Sequence, residues 1–322
     1  MRSIYEYMRF LRPIVFASLL ISFGLQAQTE FRNREFSIVN ENDVYLFLGI
    51  DRYYSNGMFF NYRFLPKNKK SSKKVIYEVG LAQRFWTPQD LRIINPEAYY
   101  RPYAGLLNGN FQVAEFPETY KRISYGIELG VIGKASGAQA FQEWYHKQFG
   151  FPQPQGWKNQ IPNGFVFNFS LEYNRQFVLV PSRFDLITTS AMQLGNAFVN
   201  ARQRIDLRFG HLRGLSKSAF VNALIGEGSR SMETHNYFFL GYGLEGVVHN
   251  ATIQGHAFNA NAPHTEEIMP WVRHMRLGWA TSSENSTLKV TYNWLSKEVR
   301  GRAGRHAYIG LELQLRFVPK RQ

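Results

Sequence analysis

The chain has 322 residues, of which 44% are hydrophobic and 16% are aromatic, and its formal net charge is +14. It contains no cysteine, which excludes disulfide scaffolds, zinc–thiolate sites and cysteine nucleophiles. The positive charge favours anionic partners, such as phosphorylated lipids or nucleic acids, although Lys and Arg side chains that line a barrel lumen give the same total.

The first residues have the pattern of a secretory signal peptide. Three arginines among the first twelve residues precede an apolar run, residues 14–25, which is soon followed by the small residue Ala27. The run is shorter than the roughly 20 apolar residues that a membrane-spanning helix needs. We therefore predict that residues 1–27 are a signal peptide and that residues 28–322 form the mature domain. A buried N-terminal helix is the alternative interpretation.

Apolar and polar residues alternate through much of the remaining chain. From Phe165 to Asn174 every odd position is apolar and large, and most even positions are polar. Residues 123–131, 288–294 and 308–317 show the same period of two. This pattern places one face of a strand against lipid and the other toward a polar interior. An exported chain without spanning helices crosses a membrane only as a closed barrel. The sequence thus predicts an all-β, transmembrane antiparallel barrel, with a soluble sandwich as the alternative.

About twelve strands are predicted, an even number as in bacterial outer-membrane barrels. They cover residues 36–48, 54–65, 73–85, 108–117, 119–132, 164–179, 183–195, 198–210, 234–248, 268–281, 285–298 and 305–317. With both chain ends on the periplasmic side, the connection between the fifth and sixth strands is an extracellular loop. The periplasmic link between residues 211 and 233 is long enough to contain additional structure.

The alternation stops within the loop between the fifth and sixth strands. Residues 138–149 contain good helix formers and no proline, and Gly150 and Pro152 follow them. The sequence therefore predicts a short helix in an extracellular loop. Gln142 and His146 are four residues apart, so they lie on one face of that helix.

Four polar clusters contain the candidate functional residues: residues 41–43, residues 51–57, Gln142 with His146, and residues 156–160. The predicted topology brings all four to the extracellular rim. Each cluster also has a structural interpretation, as a strand bulge, a hairpin turn or a solvated helical histidine. The residues by themselves permit ester hydrolysis without requiring it.

An ordered series of motifs resembles the outer-membrane lipid A 3′-O-deacylase family: ENDVYLF, DRYYSNG, RPYAG, GVIGKASGAQAFQEWYH, GWKNQI and NATIQG. The series covers nearly the whole mature chain. The resemblance implies a twelve-stranded barrel in the bacterial outer membrane that removes the 3′-acyloxyacyl group of lipid A. It also implies that lipopolysaccharide is the substrate and that the protein is a monomer whose partners are membrane lipids and not nucleic acid. A divalent cation, Ca²⁺, and a site between the barrel wall and a loop helix are implied as well.

The resemblance also implies a set of site residues. Asn42 and Asp43 match the Asn-Asp pair of the family, and Ser55 matches the Thr or Ser of its second-strand motif. Gln142 and His146 match its Gln-x-x-x-His helix, and Asp43 is the expected Ca²⁺ ligand. An acidic residue that the family can carry shortly after the histidine has no counterpart in the loop that follows here. The second outer loop also departs from the family pattern.

One mechanism agrees with both the residues and the resemblance. In this hypothesis His146 takes a proton from the water that attacks the ester, and Gln142 holds the ring. Ca²⁺, with Asp43, Asn42 and Ser55, stabilises the oxyanion. Adjacent strand residues point to opposite faces, so Asn42 and Asp43 share one site only if the strand bends there.

Three alternatives remain open at this point. A nucleophilic Ser55 is the rival mechanism, although no second histidine and acid are placed to complete a triad. A non-catalytic barrel, serving as a pore or as a lipopolysaccharide-binding scaffold, is the rival function from another class. An outer-membrane phospholipase would use the same chemistry on a different lipid.

Overall fold

The computed structural model describes residues 32–46, 51–66, 73–226, 235–259 and 261–318, so the predicted signal peptide lies outside the described residues. Twelve antiparallel strands form a closed barrel in which each strand pairs with its neighbours along the chain and β1 closes onto β12. The predicted barrel and its strand number are confirmed. The strands are β1 Arg34–Asn42, β2 Tyr53–Phe64, β3 Lys74–Thr87, β4 Ala104–Glu118, β5 Lys121–Ile132, β6 Gly164–Val180, β7 Phe184–Gly195, β8 Phe198–Gly210, β9 His235–Asn250, β10 Trp271–Ser282, β11 Ser286–Leu295 and β12 His306–Phe317.

The described part of the chain has two short α-helices in its long loops, which in outer-membrane barrels are extracellular. Helix α1, Ala138–Phe149, has the bounds predicted from the sequence, and α2 covers Ala251–Gln254. Helix α1 ends at Gly150, whose φ of 71° is left-handed, and its N–H donates to the carbonyl of His146. Among the described residues, no helix is both long enough and apolar enough to cross a bilayer.

Strand β1 is shorter than predicted. It ends at Asn42, because the Asn42 side chain accepts a hydrogen bond from Val44 N at 2.8 Å and starts a 3₁₀ turn over Val44–Leu46. Asn side chains compete in this way with strand hydrogen bonding. The two-residue period therefore stops before Asp43, and the constraint that would hold Asn42 and Asp43 on opposite faces does not apply.

The two faces of the wall differ in polarity, as the alternation predicts. Exposed apolar residues such as Leu81, Phe111 and Phe167 cover the outer face. The inner face holds ion pairs, with Arg63 2.8 Å and Arg316 2.9 Å from the carboxylate of Glu35. Further inward pairs are Arg84–Glu128, Arg122–Glu172, Arg208–Asp185, Arg276–Asp206 and Lys289–Glu312. These pairs place seven of the 38 Lys and Arg side chains against carboxylates inside the lumen.

The extracellular end of the lumen is filled by apolar side chains. Tyr54, Trp86 and Leu106 point inward from neighbouring strands and pack with Ile161 and Ala251 from the long loops. All of these residues are less than a tenth exposed. This cluster closes the barrel toward the outside.

The periplasmic end is closed by residues 211–226, which we call the lumen plug. Leu215, Ala223 and Ile225 of the plug are buried against inward side chains of the wall. Lys74 donates to the carbonyls of Ser216 and Ala223 at 2.7 and 2.6 Å. The long link between β8 and β9 therefore does contain additional structure, and both ends of the lumen are occupied.

Candidate functional site

Helix α1 packs against the outer face of the wall. Gly105 lies on the outward side of β4 with Gly109 and Phe111, because residues two apart share a face. A Cβ on Gly105 would lie 2.3 Å from Ser136 Oγ and 2.5 Å from Ala138 Cβ, so only glycine allows the start of α1 to approach this closely. The helix thus lies against the outside of the barrel wall, in agreement with the site between wall and loop helix that the resemblance implies, whereas the topology alone predicted only a position at the extracellular rim.

Three side chains from α1 and β2 converge on the carboxylate of Asp51. Asp51 Oδ2 accepts a hydrogen bond from Gln142 Nε2 at 3.1 Å and lies 3.0 Å from His146 Nε2. The hydroxyl of Ser55 donates to the other carboxylate oxygen, Oδ1. Gln142 is fully buried and His146 is 4% exposed. Asp51 therefore connects the loop helix to the second strand.

The amide of Gln142 is held in one orientation by Trp157. The indole Nε1–H of Trp157 donates to Gln142 Oε1 at 2.7 Å, which leaves the amide NH₂ group directed at Asp51. Trp157 is 1% exposed and packs on Tyr103, with ring centroids 4.9 Å apart. Because an indole only donates, this contact identifies the oxygen of the amide.

The imidazole of His146 has a partner on each ring nitrogen. Nδ1 lies 2.6 Å from the carbonyl oxygen of Pro152, and Nε2 faces Asp51. A carbonyl oxygen only accepts, so Nδ1 carries a proton, and Nε2 is the nitrogen that faces the carboxylate of Asp51. The tight turn after α1 therefore fixes the orientation of the imidazole and directs Nε2 at Asp51.

Strand β2 begins irregularly beside this site. Tyr54 pairs with Trp86 and Asn56 pairs with Phe85, so Ser55 is an extra residue in a β-bulge. Tyr53 has a φ of 62°, an unusual value for a large side chain, and its hydroxyl accepts a hydrogen bond from Gly304 N at 2.9 Å. The bulge and this backbone turn direct the Ser55 hydroxyl toward Asp51.

Asn42 and Asp43 lie next to this cluster in the chain turn that follows β1. The side chain of Asn42 is used to form the 3₁₀ turn. Asp43 Oδ2 accepts a hydrogen bond from Arg52 N at 2.9 Å, and Asp43 N faces the carbonyl of Ser55 at 3.5 Å. The structure thus brings the five residues expected from the sequence into adjoining turns, strands and helix, although only Gln142, His146 and Ser55 contact one common group.

Asp43 has the features of a cation ligand. Within the described part of the chain its buried Oδ1 has no hydrogen-bond partner. Burial, reinforced by the neighbouring carboxylate of Asp51, raises the pKa of Asp43 well above its usual range. An orphaned carboxylate oxygen beside a second carboxylate fits a hard cation such as Ca²⁺.

The cation ligands cannot all be acidic side chains or histidines. Among the described residues, no group of three or more His, Cys, Asp or Glu side chains could hold a metal ion. Because Ca²⁺ takes six to eight oxygen ligands, backbone carbonyls, water or substrate oxygens would have to complete its coordination around Asp43 and Asp51.

Sequence reasoning missed three contributors to the site. Asp51 was noted within a polar cluster without a role, although an acid four residues before Ser55 is visible in the sequence. Trp157 lies in the polar segment after α1, but its partner Gln142 is recognisable only from the fold. The carbonyl of Pro152 has no side-chain signal at all.

Comparison with known proteins gives a family and a similar fold. The family model described as outer membrane protein LpxR matches residues 14–317. The structure is similar to that of LpxR from Salmonella typhimurium, with a TM-score of 0.72 and 18% sequence identity over 88% of this chain and 100% of that chain. The β domain of the Bordetella autotransporter BrkA aligns with a TM-score of 0.46 and 11% identity over 89% of this chain and 100% of that one. No curated protein sequence matches the chain.

Proposed function

Because the chain belongs to the family of the outer membrane protein LpxR, we propose that it is a hydrolase that removes an ester-linked acyl group from lipid A, by the 3′-O-deacylation that its motifs imply. The observation that carries the proposal is the convergence of His146, Gln142 and Ser55 on Asp51 at the outer face of the wall. A base at this position suits an ester whose acyl chains remain in the outer leaflet of the membrane.

In the proposed mechanism, Nε2 of His146 takes the proton of the attacking water. The Nδ1–H group donates to the carbonyl of Pro152 throughout, so Nε2 is the nitrogen that acts as the base, once the attacking water separates it from the acceptor oxygen of Asp51. After the transfer both ring nitrogens are donors, and Asp51 and Pro152 each supply an acceptor for the resulting imidazolium. General base catalysis of this kind is typically worth a factor of about 10²–10⁴ in rate.

The other residues prepare this base and its carboxylate partner. Gln142 and Ser55 each donate to Asp51, so the carboxylate is oriented from both of its oxygens. Asp43 and Asp51 are the residues that would hold a Ca²⁺ ion. When bound, the ion supplies positive charge that stabilises the developing oxyanion and offsets the two carboxylates.

The base assignment is tested by His146→Ala, with His211→Ala, an exposed histidine at the periplasmic end, as the matched control. Both variants are checked for heat-modifiable migration, which shows that the barrel has folded. Lipid A is then analysed by mass spectrometry with and without excess calcium chelator. We expect loss of deacylation in His146→Ala and in chelator, and unchanged activity in the control. Deacylation by folded His146→Ala would refute the assignment.

The substitution Ser55→Ala tests whether Ser55 orients Asp51 or acts as the nucleophile. The Ser55 hydroxyl donates to a carboxylate, whereas a nucleophilic serine needs a neighbouring general base such as an imidazole. Loss of one hydrogen bond to a charged group costs about 1.5–3 kcal/mol, so a reduced but measurable rate is expected. Complete loss of activity, together with a covalent acyl-enzyme in the wild type, would establish the nucleophile instead.

The two other functions predict different results. The filled lumen argues against a pore, because apolar side chains close one end and the lumen plug closes the other. The phospholipase alternative is tested by offering purified protein lipid A and glycerophospholipid in parallel. Hydrolysis of the glycerophospholipid alone would replace the proposed substrate and leave the chemistry of the site unchanged.

A further inference from the structure

Helix α1 carries an aromatic surface that the proposed chemistry does not use. We define the aromatic cluster as Phe141, Trp144, Tyr145, Phe149 and Phe151. The ring centroid of Tyr145 lies 4.6 Å from that of Phe149 and 6.0 Å from that of Phe151. Trp144 lies 6.0 Å from Phe141 and is 56% exposed. The cluster is therefore continuous and ends in an exposed tryptophan.

The aromatic cluster adjoins the proposed base. The ring of Phe151 contacts that of His146 edge-on, at 5.6 Å between centroids. With 3.6 residues per helical turn, Trp144 lies on the side of α1 opposite the buried Gln142. An apolar ligand on the cluster would thus rest against the same helix that supplies the proton acceptor.

The strand register sets the height of α1 on the wall. Leu107, Val131 and Phe165 form one outward row across β4, β5 and β6, and Phe165 is 60% exposed. The next outward position on β4 is Gly105, which the start of α1 covers. Two residues of a strand span about 7 Å. Helix α1 therefore begins directly above the last row of exposed apolar side chains on this side of the barrel.

We propose that the aromatic cluster is a lipid-binding surface that contacts the acyl chains of the outer leaflet just below the headgroups. The cluster continues the lipid-facing band of the wall, and Trp and Tyr side chains favour that boundary. Lys147, exposed on the same helix, adds a positive charge suited to anionic headgroups. In this arrangement the membrane itself holds α1, and with it the buried His146, against the wall.

The absence of cysteine allows a direct test. The Trp144→Cys variant is labelled with a single nitroxide and reconstituted in phosphatidylcholine vesicles that contain phosphatidylglycerol. Leu129→Cys, on the lipid-facing wall, and Arg92→Cys, on an exposed loop, are the references. The accessibility of each label to oxygen is compared with that to a water-soluble nickel chelate. We expect the oxygen preference at position 144 to approach that at position 129.

Two results would overturn the proposal. A label at position 144 that is as open to the nickel chelate as the label at position 92 places the cluster in water. Dipolar broadening that disappears on dilution with unlabelled protein places it against a second copy of the chain. If Trp144→Cys does not fold, as judged by heat-modifiable migration, quenching of tryptophan fluorescence by brominated lipids tests the lipid contact instead. The quenched fraction of tryptophan fluorescence must then be smaller in Trp144→Phe than in the wild type, and an unchanged fraction refutes lipid contact.

A measurement of lipid A hydrolysis, which rests on the proposed function, tests whether the lipid contact of the aromatic cluster affects catalysis. Trp144→Ser should lower the hydrolysis of lipid A in vesicles several-fold and leave hydrolysis in detergent micelles unchanged. Trp271→Ser is the matched control, because Trp271 is 61% exposed at the extracellular end of β10, away from α1. Equal losses in vesicles and micelles would contradict a role of the membrane contact. The spin-label result does not depend on activity, so failure of lipid binding is distinguishable from failure of the proposed hydrolase.

Discussion

Replacement of Asp51 by asparagine tests the centre of the proposed site. The carboxylate accepts from Ser55 on one oxygen and faces Gln142 and His146 with the other, and its side chain is 21% exposed. Asparagine has the same shape but only one acceptor oxygen, so this oxygen can contact either Ser55 or the pair Gln142 and His146 on α1. The NH₂ group that replaces the second oxygen then opposes a donor.

The expected loss follows from the number of hydrogen bonds broken. One hydrogen bond to a charged group contributes about 1.5–3 kcal/mol, and each 1.4 kcal/mol is about a factor of ten in rate. If only the contact with Ser55 is lost, the rate falls about 10- to 150-fold. If both contacts with α1 are lost, about 3–6 kcal/mol is removed and the rate falls about 10²- to 10⁴-fold.

The assay is the initial rate of lipid A deacylation by mass spectrometry, with heat-modifiable migration as the measure of folding. Asp90→Asn is the matched control, because Asp90 is an outer-loop carboxylate that pairs with the exposed Arg92. The control should retain full activity. A folded Asp51→Asn protein with the wild-type rate would show that this carboxylate does not organise the site.

Three further predictions follow from other contacts. Trp157→Phe removes the N–H that orients the Gln142 amide and should lower the rate of deacylation about tenfold, which corresponds to about 1.4 kcal/mol. In a Gln142→Met background the same substitution should have no further effect. Additive losses would contradict the positioning role of Trp157. In chelator, the raised pKa of Asp43 means that the wild type loses stability as pH rises from about 4 through the folded-state pKa. Asp43→Asn should therefore raise the urea midpoint at neutral pH and abolish the stabilisation by calcium, and an unchanged calcium shift would exclude Asp43 as a ligand. Finally, the wild type should be silent in planar bilayers, and a variant lacking residues 212–225 should also be silent because the apolar cluster still closes the extracellular end; wild-type channels would show that the lumen is open.

Much of the fold was predictable because its signals are local. Alternation along single strands predicted the number and most bounds of the strands, and the break in alternation predicted α1 together with Gly150 at its end. The error at β1 was also local in origin, because the Asn42 side chain offers the backbone a turn that competes with the strand. The length of the link between β8 and β9 indicated additional structure, but its position inside the lumen was not predictable, since its apolar residues become a core only when twelve strands surround them.

The site residues with distinctive chemistry were predictable from the sequence. The residues that orient those side chains were less so. His146 and Gln142 share a helix face by spacing alone, which the sequence shows. That Asp51 receives both of them depends on the packing of α1 against the outside of the wall, which rests on Gly105. The orientation of the Gln142 amide depends on Trp157, and the orientation of the His146 ring depends on the carbonyl of Pro152. Such contacts join distant or featureless positions, so no single-sequence pattern marks them.

The occupied lumen and the outward position of the site together determine how any substrate and product must travel. Neither can pass through the cylinder, so under the proposed function a lipid reaches the site by moving sideways within its own leaflet, and both fragments depart along the same plane. The encounter is therefore two-dimensional. Its rate is set by the surface density of the lipid around each barrel, and dilution with inert lipid should slow turnover even when the amount of substrate per volume stays constant.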